Sequence, residues 1–205
     1  MENQEKLWDK IAPEWHEHKR IPSILSKRFL EKANGNVLDL GSGSGRHLTK
    51  IKNGIYFLQD FSSEMLELAA KKAEKLKIPY ETIHSPMNKI PKKDNFFDFA
   101  ICISALHCVP DEKIRKESIS ELYRVLKPKG KAYIGLWNAN SKRFKKKTRN
   151  GQREHLIGWT DKGKRYYYLY TEEEIHKQFM DAGFIIESTH NSEMMINFVV
   201  MKNQK

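Results

Sequence analysis

No stretch of the chain approaches the ~18 consecutive apolar residues of a membrane-spanning helix. The first ten residues, with Glu2, Glu5, Lys6, Asp9 and Lys10, lack the apolar region of a secretory signal. The expectation is a cytoplasmic protein with no membrane partner. Cysteine is scarce: Cys102 and Cys108 stand at a spacing that fits neither a zinc ligand pair nor a thiol redox motif. No metal site is expected, and both read first as reduced core thiols. No internal repeat or low-complexity linker divides the 205 residues, so a single domain spanning 1–205 should close one core unaided. Acid is in deficit, with 26 Asp and Glu against 37 Lys and Arg, a formal charge of +11. The excess is concentrated: positions 140–165 hold ten Lys and Arg against Glu154 and Asp161. Such a cluster attracts polyanions, nucleic acid first among them, and the alternative is a solvated basic loop.

Hydrophobic period and punctuation give an alternating order of elements. A helical lead-in, residues 1–35, places Leu7, Trp8, Ile11 and Trp15 on one face and is split by Pro22 into two short helices over about 4–32. Residues 36–40 read as a buried strand, followed by a glycine-rich turn, a helix to about Lys52 and a second strand at 55–59. Ser62 is placed to cap a helix running to Leu76, with a third strand at 80–84. The nearly continuous apolar run 97–104 fits a central parallel strand covered on both faces. A helix at 111–126, stopped by Pro128 and Gly130, precedes a strand at 131–137. A helix at 171–182 ends at Gly183, and strands at 184–188 and 195–201 close the chain. The predicted fold is α/β and Rossmann-like, a seven-stranded, mostly parallel sheet with a C-terminal antiparallel hairpin. Between Asn138 and Tyr170 periodicity fails, and the basic cluster lies inside this loop, at the sheet edge where ligands bind in such folds.

Val37-Leu38-Asp39-Leu40-Gly41-Ser42-Gly43-Ser44-Gly45 runs a strand into glycines that let backbone approach a ligand. A free helix start would then offer amides to it. A dinucleotide fingerprint needs a glycine three residues after Gly43, where Arg46 stands. Asp39, two residues before Gly41, favours instead the cationic amino group of S-adenosylmethionine. Asp60, nineteen residues after Gly41 and ending the next strand, can accept from both ribose hydroxyls. The cofactor-binding candidates are Asp39, Gly41, Ser42, Gly43, Gly45, Asp60, Phe61, Met65, Met87, Asn88 and Cys102. These features look like the class I methyltransferase superfamily. That superfamily usually has an Asp after the third strand for the adenine amino group; here the place is held by Pro86, and backbone of Met87 or Asn88 would substitute.

Methyl transfer from a sulfonium is an in-line displacement in which positioning dominates. After the central strand the chain reads Ile103-Ser104-Ala105-Leu106-His107-Cys108, without the Asn/Asp-Pro-Pro-aromatic group that holds an exocyclic amine. Nor is Cys108 preceded by the proline of a pyrimidine-carbon nucleophile. An oxygen acceptor remains: a carboxylate, already ionised, or a hydroxyl, which needs a base. His107, at the mouth end of the central strand, is placed to be that base or to orient substrate, the alternative being a hydrogen-bonded rim histidine; Arg165 is placed to pair with a carboxylate or stack on a base.

Leu7-Trp8-Asp9-Lys10-Ile11-Ala12-Pro13-Glu14-Trp15, the loop 38–48, Ser104-Ala105-Leu106-His107, Leu126-Lys127-Pro128, Trp137 and Arg165-Tyr166-Tyr167-Tyr168-Leu169-Tyr170 with Glu173-Glu174 are together similar to one tRNA methyltransferase family. That family esterifies the carboxylate of 5-carboxymethyluridine at the wobble position. The resemblance implies His107, Arg165 and Tyr166 as the catalytic set. It also implies substrate contacts at Lys19, Arg20, Trp137 and Tyr167, with Lys145, Lys146, Lys147 and Arg149 of the basic insertion 138–170 facing tRNA. It implies a small zinc-binding activator subunit as well. Rival readings are a methyltransferase for a small metabolite and a non-catalytic cofactor-binding scaffold.

Overall fold

The computed structural model describes residues 3–18, 21–146, 148 and 150–204. Helices α1 (Gln4–His18) and α2 (Ile24–Leu30) lead into strand β1 (Gly35–Leu40). Strand β2 (Gly54–Asp60), helix α3 (Ser63–Leu76), strand β3 (Tyr80–His84) and strand β4 (Phe97–Ile103) follow. After a 3-10 turn at Leu106–Cys108 come α4 (Glu112–Val125), β5 (Leu126–Trp137), β6 (Glu154–Gly158), β7 (Lys164–Tyr168), α5 (Glu172–Asp181), β8 (Phe184–Thr189) and β9 (Met195–Lys202). The main sheet has seven strands in the order β3-β2-β1-β4-β5-β9-β8, with β9 antiparallel to both neighbours and the rest parallel.

Local chemistry accounts for most boundaries. Ser62, Asp111 and Thr171 each sit in extended backbone and accept an amide from the first turn of α3, α4 and α5, respectively. Alternation along the strands loads both faces of the sheet. Leu38, Ala100, Cys102 and Ile134 face a core shared with Ile119 and Leu122 of α4 and Phe179 of α5. Val37, Ile101 and Tyr133 face the opposite core with Leu30 of α2 and Ala69 of α3. Leu7, Trp8, Ile11 and Ala12 of α1 pack on Met65 of α3. Each fully buried leucine or isoleucine there is worth about 1.5–3 kcal/mol.

Three expectations change. The helix expected between the glycine turn and Lys52 does not form, and residues 41–53 are turns and irregular backbone. Gly43 (φ +51°) and Gly45 (φ +72°) occupy the left-handed region, which no right-handed helix can include. Pro128 and Gly130 do not separate α4 from the following strand, because β5 starts at Leu126 and shifts register against β4 between Phe97 and Phe99. The 138–170 segment is not a structureless loop: β6 and β7 pair as an antiparallel hairpin, a second small sheet. Among the described residues no helix is long and apolar enough to cross a membrane.

Candidate active site

Strand order reverses between β1 and β4, and ligands of open α/β sheets bind outside the carboxyl ends of strands at such a point. A cleft of about 250 Å³ opens there. Its floor is Gly41, Ser42, Gly43 and Ser44; Asp60, Phe61 and Met65 form one wall, Pro86, Met87, Ser104 and Ala105 another. Gly41 has φ +71°, and a Cβ on it would lie 2.3 Å from that of Ala105, so loop and β4 turn meet at a distance only glycine allows. The end of β2 holds the loop in place. The Gly41 amide donates to Gln59 Oε1 (3.0 Å) and the Gly43 amide to Asp60 Oδ2 (2.8 Å), while Asp60 Oδ1 accepts the Ser62 amide (3.0 Å).

Two carboxylates underlie this floor. Asp39 is 1 % exposed, its Oδ2 has no partner, and burial, with the charge of Asp60 second, pushes its pKa up to about 7. Burial likewise raises Asp60 to about 6, against the lowering effect of the amides it accepts. A buried carboxylate with one unpaired oxygen behind a glycine cradle favours a cation at the loop. The acid at the cleft wall suits hydroxyl donors, and Met65, Met87 and Phe61 offer apolar contact to a flat ring. The chain's own residues thus fit S-adenosylmethionine, which when bound supplies an electrophilic methyl on a sulfonium.

The cleft gathers seven of the eleven residues expected at the cofactor: Gly41, Ser42, Gly43, Asp60, Phe61, Met65 and Met87. Asp39 lies behind the loop, and Gly45 packs against Leu48 and Ala69. Asn88 turns away, donating to Glu117 (2.8 Å). Cys102 sits inside the sheet core, where burial lifts its thiol to about 12. Alternation explains this: Cys102 shares the core face with Ala100, and the cysteine that reaches the cleft is Cys108.

His107 is not at the mouth. It is fully buried, its Nδ1 accepts the Trp137 amide (3.2 Å), and burial pulls its pKa down to about 3. Its ring leans on Trp137 and Tyr167, which stack on each other at 4.3 Å. Tyr166 is also turned from the cleft, its hydroxyl donating to Glu154 (2.9 Å). Arg165 is 6 % exposed and lies against four rings, Trp159 at 4.7 Å, Tyr167 at 5.3 Å, Trp15 at 5.4 Å and Trp8 at 5.8 Å. Its NH1 donates to Tyr167 Oη (2.7 Å), and its Nε has no partner. Trp8 and Trp15 line the cleft, so the guanidinium stands immediately behind the cleft's aromatic wall. Lys145 and Lys146 are exposed on a turn anchored by Phe144, which is buried and stacked on Trp137 at 5.1 Å. Lys19, Arg20, Lys147 and Arg149 lie outside the described residues.

Sequence reasoning missed Gln59, Arg46 and His47 as part of the cleft, and took Trp8 and Trp15 only as a packing face. The pattern Gln59-Asp60 after a strand was a usable signal for Gln59. Nothing local marked His47, whose Nδ1 is 3.0 Å from Ser26 Oγ and whose pKa burial lowers to about 3.

A seven-stranded sheet of this order, with a glycine loop, two acids and a cleft at the switch point, defines a class I S-adenosylmethionine-dependent methyltransferase domain. Residues 37–130 match the family described as a methyltransferase domain. The chain is 29% identical over 138 residues to the tRNA (carboxymethyluridine(34)-5-O)-methyltransferase of Arabidopsis thaliana, covering 65% of this chain and 32% of that protein. The Schizosaccharomyces pombe protein of the same name is 24% identical over 205 residues, covering 87% and 86%. The Rickettsia prowazekii ubiquinone/menaquinone biosynthesis C-methyltransferase is 36% identical over 108 residues, covering 48% and 42%. Among solved structures, the Haloferax volcanii methyltransferase in complex with the Trm112 methyltransferase activator superposes with a TM-score of 0.74 at 16% identity, covering 99% of each chain. The chain thus spans about a third of the Arabidopsis protein's length but most of the fission-yeast one.

Proposed function

We propose that this protein methyl-esterifies the carboxylate of a 5-carboxymethyluridine at the tRNA wobble position. The observation that carries the reading is Arg165: a buried guanidinium with no carboxylate partner among the described residues and a free Nε, adjoining the aromatic wall of the cofactor cleft. Such a cation recognises a carboxylate by charge-assisted hydrogen bonds and holds it for in-line attack. The acceptor also fits the lack of a free base among the described residues lining the cleft. His47 and His107 are kept neutral by burial, and Asp60 is engaged by backbone amides. A carboxylate needs no proton removed, whereas a hydroxyl acceptor would. Exposed Lys142, Arg143, Lys145 and Lys146 beside the hairpin supply phosphate contacts. The names of the two tRNA-methyltransferase relatives support the same assignment. The Haloferax neighbour, solved with an activator, supports a small activator subunit as partner.

Incubation with radiolabelled S-adenosylmethionine and total tRNA, with identification of the product nucleoside, tests this. Label in a uridine methyl ester is the expected result; label confined to small molecules supports the second reading. That reading, a metabolite methyltransferase, is favoured by the predominantly apolar cleft and the quinone-pathway relative. Under it, transfer would be indifferent to salt, whereas tRNA binding through phosphates weakens steeply with added salt.

A further inference from the structure

Arg115 is a second buried arginine, 3 % exposed, on the first turn of α4. Its NH1 donates to the carbonyls of Val109 (2.8 Å) and Pro110 (2.9 Å) and lies 3.4 Å from Tyr166 Oη. Val109, Pro110 and Ile114 line the cofactor cleft, while Tyr166 is the β7 residue next to Arg165. The guanidinium also lies over the Tyr168 ring at 4.2 Å. No described carboxylate pairs with it directly. Its charge is met at one remove, since the Tyr166 hydroxyl donates to Glu154 (2.9 Å) and the Tyr168 hydroxyl to Glu174 (2.6 Å). A buried cation is costly unless its donors are satisfied and a counter-charge is near, and here two phenols carry two acids to it.

We infer that Arg115 is a positioning residue that ties the acceptor hairpin β6–β7 to the cofactor cleft. One nitrogen is bonded to the cleft wall on one side and to β7 on the other, so the distance from Arg165 to the transferable methyl is set through Arg115. Among the described residues the hairpin shares no ladder with the main sheet, and the bridge Asn138–Tyr170 lies just beyond it, so its placement depends on ties such as Arg115 and those from α1, where Gln4 Oε1 accepts the Tyr166 amide (2.9 Å) and Glu14 accepts from Trp159 Nε1 (2.7 Å). The inference rests on the reading of Arg165 as the acceptor-holding group.

The test uses the full chain with Arg115→Met, Arg115→Lys and Tyr166→Phe, read by amide hydrogen exchange, cofactor affinity, and kcat and KM on total tRNA. Arg115→Met leaves two carbonyls unpaired. Faster exchange is expected at 154–168, with the β1, β2 and β4 amides unchanged and cofactor affinity held within about twofold. A kcat loss of roughly 30-fold accompanies it, because small misplacement of a reacting group is expensive. Arg115→Lys keeps three donors on a side chain one bond shorter and should restore most hairpin protection and most of kcat. If Arg115→Met does not fold, Tyr166→Phe carries the test beside Glu154→Ala: the first cuts the phenol's links to both Arg115 and Glu154, the second only the link to Glu154, so greater loosening of the hairpin in Tyr166→Phe is expected and equal loosening in the two overturns the inference. Unchanged exchange at 154–168, or loss spread evenly over the main sheet with a parallel loss of cofactor binding, overturns the inference. Exchange is read without any acceptor, so a wild-type protein that fails to methylate tRNA sinks the functional reading alone.

Discussion

The cofactor segment, residues 37–130, and the segment 138–170, proposed above to hold the acceptor, are built on opposite plans. The first is organised by backbone: strand ends in parallel register, a glycine loop whose amides are taken by Gln59 and Asp60, and a turn pressed on Gly41. The second is organised by side chains: a stack of Phe144, Trp137 and Tyr167, an arginine among tryptophans, and phenols bridging to acids. Backbone plans tolerate sequence change at most positions, so a cofactor half of this kind can serve many acceptors. Side-chain plans are specific, and under the proposed function they put the identity of the acceptor in a few large residues.

The largest effect that would sharpen this contrast comes from Gly41→Ala. Its Cβ has no room against Ala105, so cofactor affinity and transfer to any acceptor should both fall by about 100-fold or more, read by calorimetry and radiolabel transfer. Arg165→Ala should lower transfer by about 100-fold with cofactor affinity within about twofold, and a matching loss of cofactor binding would erase the proposed division of labour. Replacing Lys142, Lys145 and Lys146 with Ala should weaken tRNA binding by about tenfold and flatten its dependence on salt, leaving turnover at saturation unchanged. The smallest effect is electrostatic. Asp39 has a folded-state pKa near 7, above the ~3.9 of an unfolded Asp, so the native state holds the extra proton. Its contribution to stability is fully present below pH ~4 and lost as pH rises through about 7. Asp39→Asn should therefore raise Tm at pH 8 but not at pH 4, about 2–4 °C for each kcal/mol removed, while weakening cofactor binding.

What was legible in the sequence follows the same division. Strand β3 was placed residue for residue, and the cap Ser62 marked the start of α3, because a cap is a local signal. Asp39 and the glycines were legible because one strand-turn unit carries them, and Asp60 because it ends the next strand. The hairpin was not. In β7, Arg165, Tyr166 and Tyr167 are all buried, so that strand does not alternate; in β6 exposure does alternate, but the apolar Leu156 falls on the exposed face with Glu154 and Gly158, so residue polarity does not report it. His107 looked like a rim histidine because the turn after β4 is near the cleft; the ring folds inward under Trp137, a contact made thirty positions away. Arg115 carried no local mark at all, since its partners lie on a preceding turn and a distant strand.

The turns that replace a helix after the glycine loop have one further consequence. A helix beginning at Gly43 would direct a partial positive pole at whatever lies over the loop, an asset for binding a pyrophosphate and a handicap for a molecule bearing a sulfonium and an ammonium. Here that pole is missing, and of the amides that would have formed it the Gly43 N–H is already taken by Asp60. Converting this site to hold a dinucleotide would thus need more than a glycine at Arg46. It would require residues 43–52 to be rebuilt as a helix and the two acids beneath it to be withdrawn.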